Sequence, residues 1–206
     1  MIVGLHGYAQ SGKDALAKVL IEEFGFRRVA FADTLREAVY RLNPIVEHSD
    51  ETGPVRVQEI VNRAGWEEAK VLYPEVRRLL QVIGTEVGRE LIHEDIWVSI
   101  AMSKIKNNED IVITDVRYLN EVQAIQDAYG ILVKINRPGV GPVNDHVSDA
   151  GLPDDMFNFI LNNNGSIEEW QQKARAVFSE FQKASLFEDA PPRYGDFEFP
   201  DAEQML

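Results

Sequence analysis

The sequence predicts an α/β fold of three layers, a five-stranded parallel sheet held between helices. Two observations carry that prediction. Short apolar runs at 1–5, 28–32, 111–115, 131–136 and 157–161 have the length and composition of strands, and 111–115 has the unbroken apolar character of a central strand buried on both faces. Between and after them lie segments whose apolar residues recur at three and four, so strands alternate with helices along the chain.

The first run opens directly onto Gly7-Tyr8-Ala9-Gln10-Ser11-Gly12-Lys13-Asp14. A strand, a glycine-bounded loop and a lysine at the start of a helix make an anion cradle, because successive backbone N–H groups and the helix N-terminus converge on one point. Gly7, Ala9, Gln10, Ser11 and Gly12 are therefore candidate phosphate-binding residues, and Lys13 adds a mobile charge for the terminal phosphates of ATP. The last position of this P-loop pattern ordinarily carries Ser or Thr, whose hydroxyl meets Mg²⁺. Asp14 stands there instead, and a carboxylate holds the same ion directly or through water. The competing reading is a strand-to-helix turn that uses glycine only for its backbone freedom.

The helix that follows is expected over 13–24, with Leu16, Val19, Leu20 and Phe24 on one stripe and Gly25 as its stop. After the strand at 28–32, Asp33-Thr34 marks a second helix start and Asn43-Pro44 its end. Asp33 and Arg36, in its first turn, are candidates for substrate binding. Residues 45–53 read as a surface loop. Two short helices are expected next, one striped by Val57, Ile60, Val61 and Ala64 and one over 66–73 before Pro74.

A helix over 74–91 has Val76, Leu79, Leu80, Ile83 and Val87 as its core stripe. Another face carries Arg77, Gln81, Gly84 and Gly88, bordered by Arg78 and Thr85. One reading is a solvated face; the other is the wall of an anion-and-base site, with glycines that let another group approach. A further helix starts at Glu94 or Asp95, contains Trp97 and runs through Ile105.

The run 111–115 ends in Asp115, the placement of a Walker-B-like acid delivered to the ligand edge of a parallel sheet. Together with the P-loop, it makes Asp115 a partner of the Mg²⁺ shell. Arg117 follows. The helix over 120–129 is expected to use Gln123 in a capping box and Gly130 as its stop. After the strand 131–136 come Arg137-Pro138-Gly139 and a Gly-, Pro-, Asn- and Asp-rich stretch to 153 with His146 and Asp149, which suggests a mobile lid over about 137–155. The strand 157–161 leads into Asn164-Gly165-Ser166, where Ser166 caps a helix over 167–181. One domain is expected over 1–185, with a helical insertion over about 45–105 and an acidic tail over 186–206.

Composition narrows the partners. With 206 residues, 45% of them hydrophobic, the chain can bury one sizeable core. Its 21 Lys and Arg against 34 Asp and Glu give a net charge of −13, the opposite of what a nucleic-acid polymer attracts. It has no cysteine, so disulfides and thiolate metal sites are excluded and a reducing cytoplasm suits it. No apolar run reaches the ~18 residues of a membrane span. Arg36, Arg77, Arg78, Arg117 and Arg137 nevertheless fall where helices start or strands end near the predicted ligand edge. Transfer between two phosphates must hold two repelling anions together, and the planar arginine fork, which keeps its proton, suits that task.

Taken in order, several motifs resemble the bacteriophage-type deoxynucleoside monophosphate kinases, within the P-loop nucleoside monophosphate kinase group. They are Ser11-Gly12-Lys13-Asp14, Arg77-Arg78-Leu79-Leu80-Gln81 leading to Gly84-Thr85-Glu86, Ile96-Trp97-Val98 and Asp115-Val116-Arg117. Arg137-Pro138-Gly139, Asp145-His146 with Ala150-Gly151-Leu152-Pro153, and Asn164-Gly165-Ser166 complete the series. The resemblance implies a P-loop kinase-like fold and transfer of phosphate from ATP to a deoxynucleoside monophosphate with Mg²⁺. It also implies that Lys13 and the loop hold ATP, and that Arg77, Arg78 and Gln81 face the monophosphate. By the same resemblance Arg117 and Arg137 clamp the transferring group, and Asn164, Gly165 and Ser166 lie near the donor base. The two-sided amide of Gln81 suits reading the acceptor base, and Trp97 either stacks on that base or fills core.

A shorter middle insertion and the acidic tail depart from the resemblance, which leaves base preference and homodimerisation open. A phage-encoded enzyme would work in the host cytoplasm. The alternatives are a P-loop kinase of another small acceptor, of phosphomevalonate or dephospho-coenzyme-A type, and a non-catalytic nucleotide-binding module.

Overall fold

The computed structural model describes residues 1–49, 53–106, 108–141 and 151–184. In chain order the elements are β1 (Ile2–His6), α1 (Lys13–Phe24), β2 (Arg27–Val29), α2 (Ala32–Leu42), β3 (Ile45–Ser49), β4 (Gly53–Arg56), α3 (Val57–Leu72), α4 (Pro74–Gln81), a π-helix (Val82–Ile92), α5 (Ile96–Ser103), β5 (Ile111–Ile113), α6 (Leu119–Asp127), β6 (Ile131–Asn136), β7 (Phe159–Asn162) and α7 (Ile167–Ala184). They form two compact units: Met1–Ala30 with the chain from Ile105 onward, and Phe31–Lys104. Most of the expected lid, including Asp145, His146 and Asp149, and the acidic tail lie outside the described residues.

The first unit is built on a five-stranded sheet in the order β2-β5-β1-β6-β7. Every pairing is parallel, with Gly4 opposite Ile113 on one side of β1 and Leu132 on the other. The five predicted strands are all present, each displaced by no more than a few residues. From β1 the chain first builds outward to β2 and β5, then returns past β1 to lay down β6 and β7. That reversal leaves a topological switch at the carboxyl end of β1, where open parallel sheets bind ligands.

Alternation along β1 sorts the layers. Val3 and Leu5 pack with Leu16, Leu20, Trp170, Ala174, Val177 and Phe181, which places α1 and α7 on one face. Gly4 points to the other face and approaches α6 so closely that a Cβ there would stand 2.6 Å from Ile125 Cδ1. Helix α1 matches its expected bounds and ends at Gly25, whose φ of +76° gives the left-handed turn of a C-cap. Helix α6 corrects two expectations. Its capping box uses Glu121 at the third helical position, not Gln123, because the chain enters the helix two residues earlier, at Tyr118. At its end Tyr129, not Gly130, takes the left-handed backbone, with φ +54°.

Among its described residues the second unit, Phe31–Lys104, is helical apart from one antiparallel pair of strands. Helix α2 belongs to it because Leu35 and Val39 share a core with Val57 and Trp97. Residues 45–53, expected as a loop, instead supply β3, which pairs antiparallel with β4 through Glu47–Val55 and His48–Pro54. Gly53 and Pro54 obscured that strand in the sequence; burial of Val46 and Val55 against the helical core is what fixes it. The two short helices expected after Val57 are both present within α3, separated at Gly65, whose φ of +75° and ψ of 171° are not helical.

The helix expected over 74–91 is α-helical only to Gln81 and then widens into the π-helix. The fifth helix ends at Ser103, short of the expected Ile105. Among the described residues no helix is long and apolar enough to cross a membrane.

Candidate active site

In the first unit the functional geometry begins where β1 stops. Gly7 follows with φ +152° and no room for a side chain: a Cβ would stand 2.6 Å from the Ile135 carbonyl oxygen and 2.7 Å from Ser11 Oγ. The loop turns on a hydrogen bond from Ser11 N to Tyr8 O at 3.2 Å, and Gln10 takes a φ of +64°. Gly12, with φ +109°, is the residue before α1, so the loop runs without a break into the helix N-terminus. Lys13 lies back along the loop and donates from Nζ to Tyr8 O at 2.7 Å. The Ser11 hydroxyl is buried without a hydrogen-bond partner, an unsatisfied polar atom inside the cradle of the kind functional sites retain. These features fit a polyphosphate.

Asp14, exposed in the first turn of α1, and Asp115, half-buried two residues past β5, lie beyond the carboxyl ends of adjacent strands. Among the described residues no group of three or more His, Asp or Glu gathers as a metal cage. A magnesium–nucleotide site needs none, because phosphate oxygens and waters supply most ligands.

Arg117 and Arg137 are exposed beyond β5 and β6, respectively. The backbone N–H of Arg117 donates to Glu121 Oε2 at 2.7 Å, and Tyr118 N donates to the same oxygen at 3.1 Å. Glu121, only 2% exposed, thus pins the segment that carries Arg117. Arg137 reaches the P-loop itself, donating from Nη1 to Gln10 O at 3.4 Å. Asn164, Gly165 and Ser166 are exposed just before α7. Ser166 Oγ accepts from Glu169 N at 3.2 Å while Ser166 N donates to Glu169 Oε2 at 2.7 Å, so the predicted cap is a reciprocal one.

His6, the last residue of β1, is buried, and its pKa is pushed down to about 4. Desolvation dominates; the Val116 hydrogen bond opposes it, and the charges of Lys134, Lys13 and Arg117 add to it. A neutral ring at this position adds no charge of its own to the cradle.

The second unit holds the other candidates. Arg36 on α2 and Lys70 on α3 share the Glu67 carboxylate, at 3.3 and 2.7 Å. Burial holds the Lys70 ammonium below its ordinary pKa, the Glu67 contacts oppose that, and the charges of Arg36 and Arg77 reinforce it. Arg36, Lys70 and Arg77 therefore form a cationic cluster in a strongly acidic chain. Sequence reading missed Lys70. Its signal is the i, i+3 spacing from Glu67, which on an isolated helix reads as a surface pair.

Arg78 pairs with Glu75, with Nε and Nη2 each 2.7 Å from a Glu75 oxygen in a two-pronged exposed pair. Asp33, Gln81 and Thr85 are partly exposed. Gly84 and Gly88 correct the sequence reading, since the groups they admit are core side chains of their own unit. A Cβ at Gly84 would stand 2.7 Å from Leu35 Cδ2, and one at Gly88 2.6 Å from Trp97 Cζ2. Trp97 fills core at 8% exposure and donates from Nε1 to Gly84 O at 2.8 Å.

The comparisons with known proteins agree with this chemistry. A family model described as deoxynucleotide monophosphate kinase matches residues 59–174, more than half of the chain, a span that holds every candidate from Arg77 to Ser166 and leaves the P-loop outside it. The chain is 29% identical over 185 residues to a protein of Acanthamoeba polyphaga mimivirus provisionally named deoxynucleotide monophosphate kinase, covering 82% of this chain and 92% of that one. It is 28% identical over 217 residues to the deoxynucleoside-5'-monophosphate kinase of Escherichia phage T5, covering 74% and 85%. Among solved structures, the dephospho-CoA kinase from Campylobacter jejuni superposes with a TM-score of 0.47 at 12% identity, over 90% of this chain and 98% of that one. With a strand–glycine loop–lysine cradle at the switch point of a parallel sheet, and a family match that spans four of the five candidate arginines, the chain is a kinase and belongs to the deoxynucleotide monophosphate kinase family.

Proposed function

We propose that the protein transfers the γ-phosphoryl group of ATP to a deoxynucleoside monophosphate, with Lys13 and the amides of residues 7–13 holding the donor and Arg36, Lys70 and Arg77 holding the acceptor phosphate. The P-loop at the carboxyl end of β1 carries this reading: its amides and helix N-terminus favour a polyanion, and family membership supplies the acceptor class. An acceptor phosphate oxygen attacks the γ-phosphorus, the bond to the β–γ bridging oxygen breaks, and ADP leaves. That oxygen is ionised at neutral pH, so no side chain has to remove a proton, and the protein's part is positioning and charge stabilisation.

Arg117 and Arg137 supply fixed charge for the transferring group, and Gln81 reads the acceptor base through its amide. Asn164, Gly165 and Ser166 border the donor base. Asp14 and Asp115 would hold Mg²⁺, which draws charge from the β- and γ-phosphates when bound. The same reading places the enzyme in the host cytoplasm, among ATP and deoxynucleotides.

A coupled assay with ATP, Mg²⁺ and each deoxynucleoside monophosphate in turn tests the proposal. ADP should form only when a monophosphate is added, at a rate that depends on its base. ADP formation at the same rate without any acceptor, or none with every deoxynucleotide, overturns it.

A further inference from the structure

Two buried side chains from the far end of the chain grip the P-loop from behind. Asn163, 5% exposed and one residue past β7, donates from Nδ2 to Ser11 O at 2.9 Å. Trp170, 3% exposed in the first turn of α7, donates from Nε1 to Gly12 O at 3.0 Å. Both donors are themselves fixed. The backbone N–H of Asn163 donates to Asn136 O at 2.8 Å, and the Trp170 ring belongs to the core between α1 and α7. Their approach also explains why residue 12 is glycine: a Cβ there would stand 2.5 Å from Asn163 Nδ2 and 2.8 Å from Trp170 Nε1.

In a planar trans peptide the carbonyl and the following N–H point in opposite directions. A donor locked onto Ser11 O therefore turns the N–H of Gly12 the other way, and a donor locked onto Gly12 O does the same for the N–H of Lys13. Gly12 O also accepts the first helical bond, from Leu16 N at 3.1 Å, so this peptide is held by two donors. We infer that Asn163 and Trp170 are positioning residues that act through the loop backbone: they aim two consecutive amides at the donor phosphates and so set the affinity for ATP. Pre-set amides save the reorganisation that a flexible loop would undergo on binding.

The inference rests on the reading of this loop as the ATP cradle, and the test separates the two. ATP and ADP binding is measured by calorimetry for the full-length protein and for Asn163→Ala, Asn163→Asp and Trp170→Phe, alongside KM for ATP and for the monophosphate. Each variant should weaken ATP and ADP binding about tenfold or more and raise KM for ATP while KM for the monophosphate holds. Asn163→Asp should be the worst, because it sets a carboxylate against a carbonyl. Trp170→Phe keeps the ring in the core and loses only the donor, so it remains informative if an Asn163 variant fails to fold. Unchanged ATP affinity in Trp170→Phe, or both KM values rising together with a fall in Tm, overturns the positioning role. Failure of the unaltered protein to bind ATP or ADP overturns the cradle reading itself.

Discussion

His6 Nδ1 donates to the carbonyl oxygen of Val116 at 2.9 Å, tying the last residue of β1 to the backbone between Asp115 and Arg117. A carbonyl only accepts, so the ring carries its proton on Nδ1 and stays neutral. The pKa of His6 falls from 6.5 to about 4 on folding, so below pH 6.5 the unfolded chain binds a proton that the folded chain refuses. Stability from this group is complete above pH 6.5 and declines as pH falls toward 4, by about 3 kcal/mol in all. Urea unfolding at pH 7 and pH 5 should show about 2 kcal/mol of that loss in the wild-type protein and a smaller one in His6→Asn. Equal losses in the two proteins would refute the assignment.

Lys13→Ala and Arg137→Ala remove cations from the loop region, one bonded to Tyr8 O and one to Gln10 O. Each should lower kcat about 10²- to 10³-fold, the range for deleting one charge-stabilising donor, with circular dichroism and Tm close to wild type. Near-normal turnover in either variant would count against the proposed donor geometry.

Lys70→Ala and Glu67→Gln should move acceptor binding in opposite directions. The first removes a cation from the Arg36–Lys70–Arg77 cluster and should raise KM for the monophosphate about tenfold or more, as expected for a charge-assisted contact. The second removes the carboxylate that competes for Arg36 and Lys70, and should lower that KM. KM for ATP should hold in both, and steady-state kinetics with each substrate varied in turn checks the split.

Gly88→Ala should destabilise by about 1–3 kcal/mol, the usual range for overpacking. Its new methyl meets the Trp97 ring, which the bond to Gly84 O holds in place. Gly84→Ala meets only the end of the Leu35 side chain, so a rotamer change relieves the clash and better helix propensity offsets part of the cost, leaving about 1 kcal/mol or less. Chemical denaturation of the two variants should preserve that order.

Glu121→Ala removes the acceptor for Arg117 N and Tyr118 N at a buried position and should lower stability by about 1–3 kcal/mol. Glu121→Gln keeps an oxygen for the same two donors and should recover most of it, as read by Tm.

Where function demands a local backbone form, the sequence was legible. Gly7, Gly12 and Gly25 mark turns that a side chain would block or strain, and they bracket α1 at its true ends. The unbroken apolar run at 111–113 gave away a strand buried on both faces. What stayed hidden depends on partners far along the chain. Asn163 and Trp170 meet residues more than 150 positions earlier, and nothing local distinguishes Asn163 from its neighbours Asn162 and Asn164. The helix widens after Gln81 where Trp97 and Leu35 pack against Gly88 and Gly84, contacts that periodicity cannot report. Lys70 looked like half of a helix-surface pair until Arg36 and Arg77 were found beside it. Arg78 shows the converse, an arginine in a suggestive run whose neighbour Glu75 occupies it.

The strand order has a consequence for how the chain assembles. β1 is made first yet sits mid-sheet, and Ile2 waits for Ile111 and Val3 for Ile131 before either edge of the strand is paired. The helices of Phe31–Lys104 close mostly short loops and can mature meanwhile, because nearby contacts form faster than distant ones. The glycine turn, although it precedes four of the sheet's five strands in the chain, is thus completed among the last. During refolding, pulsed hydrogen exchange should find amides of β1 still open when those of α2 to α5 are already protected.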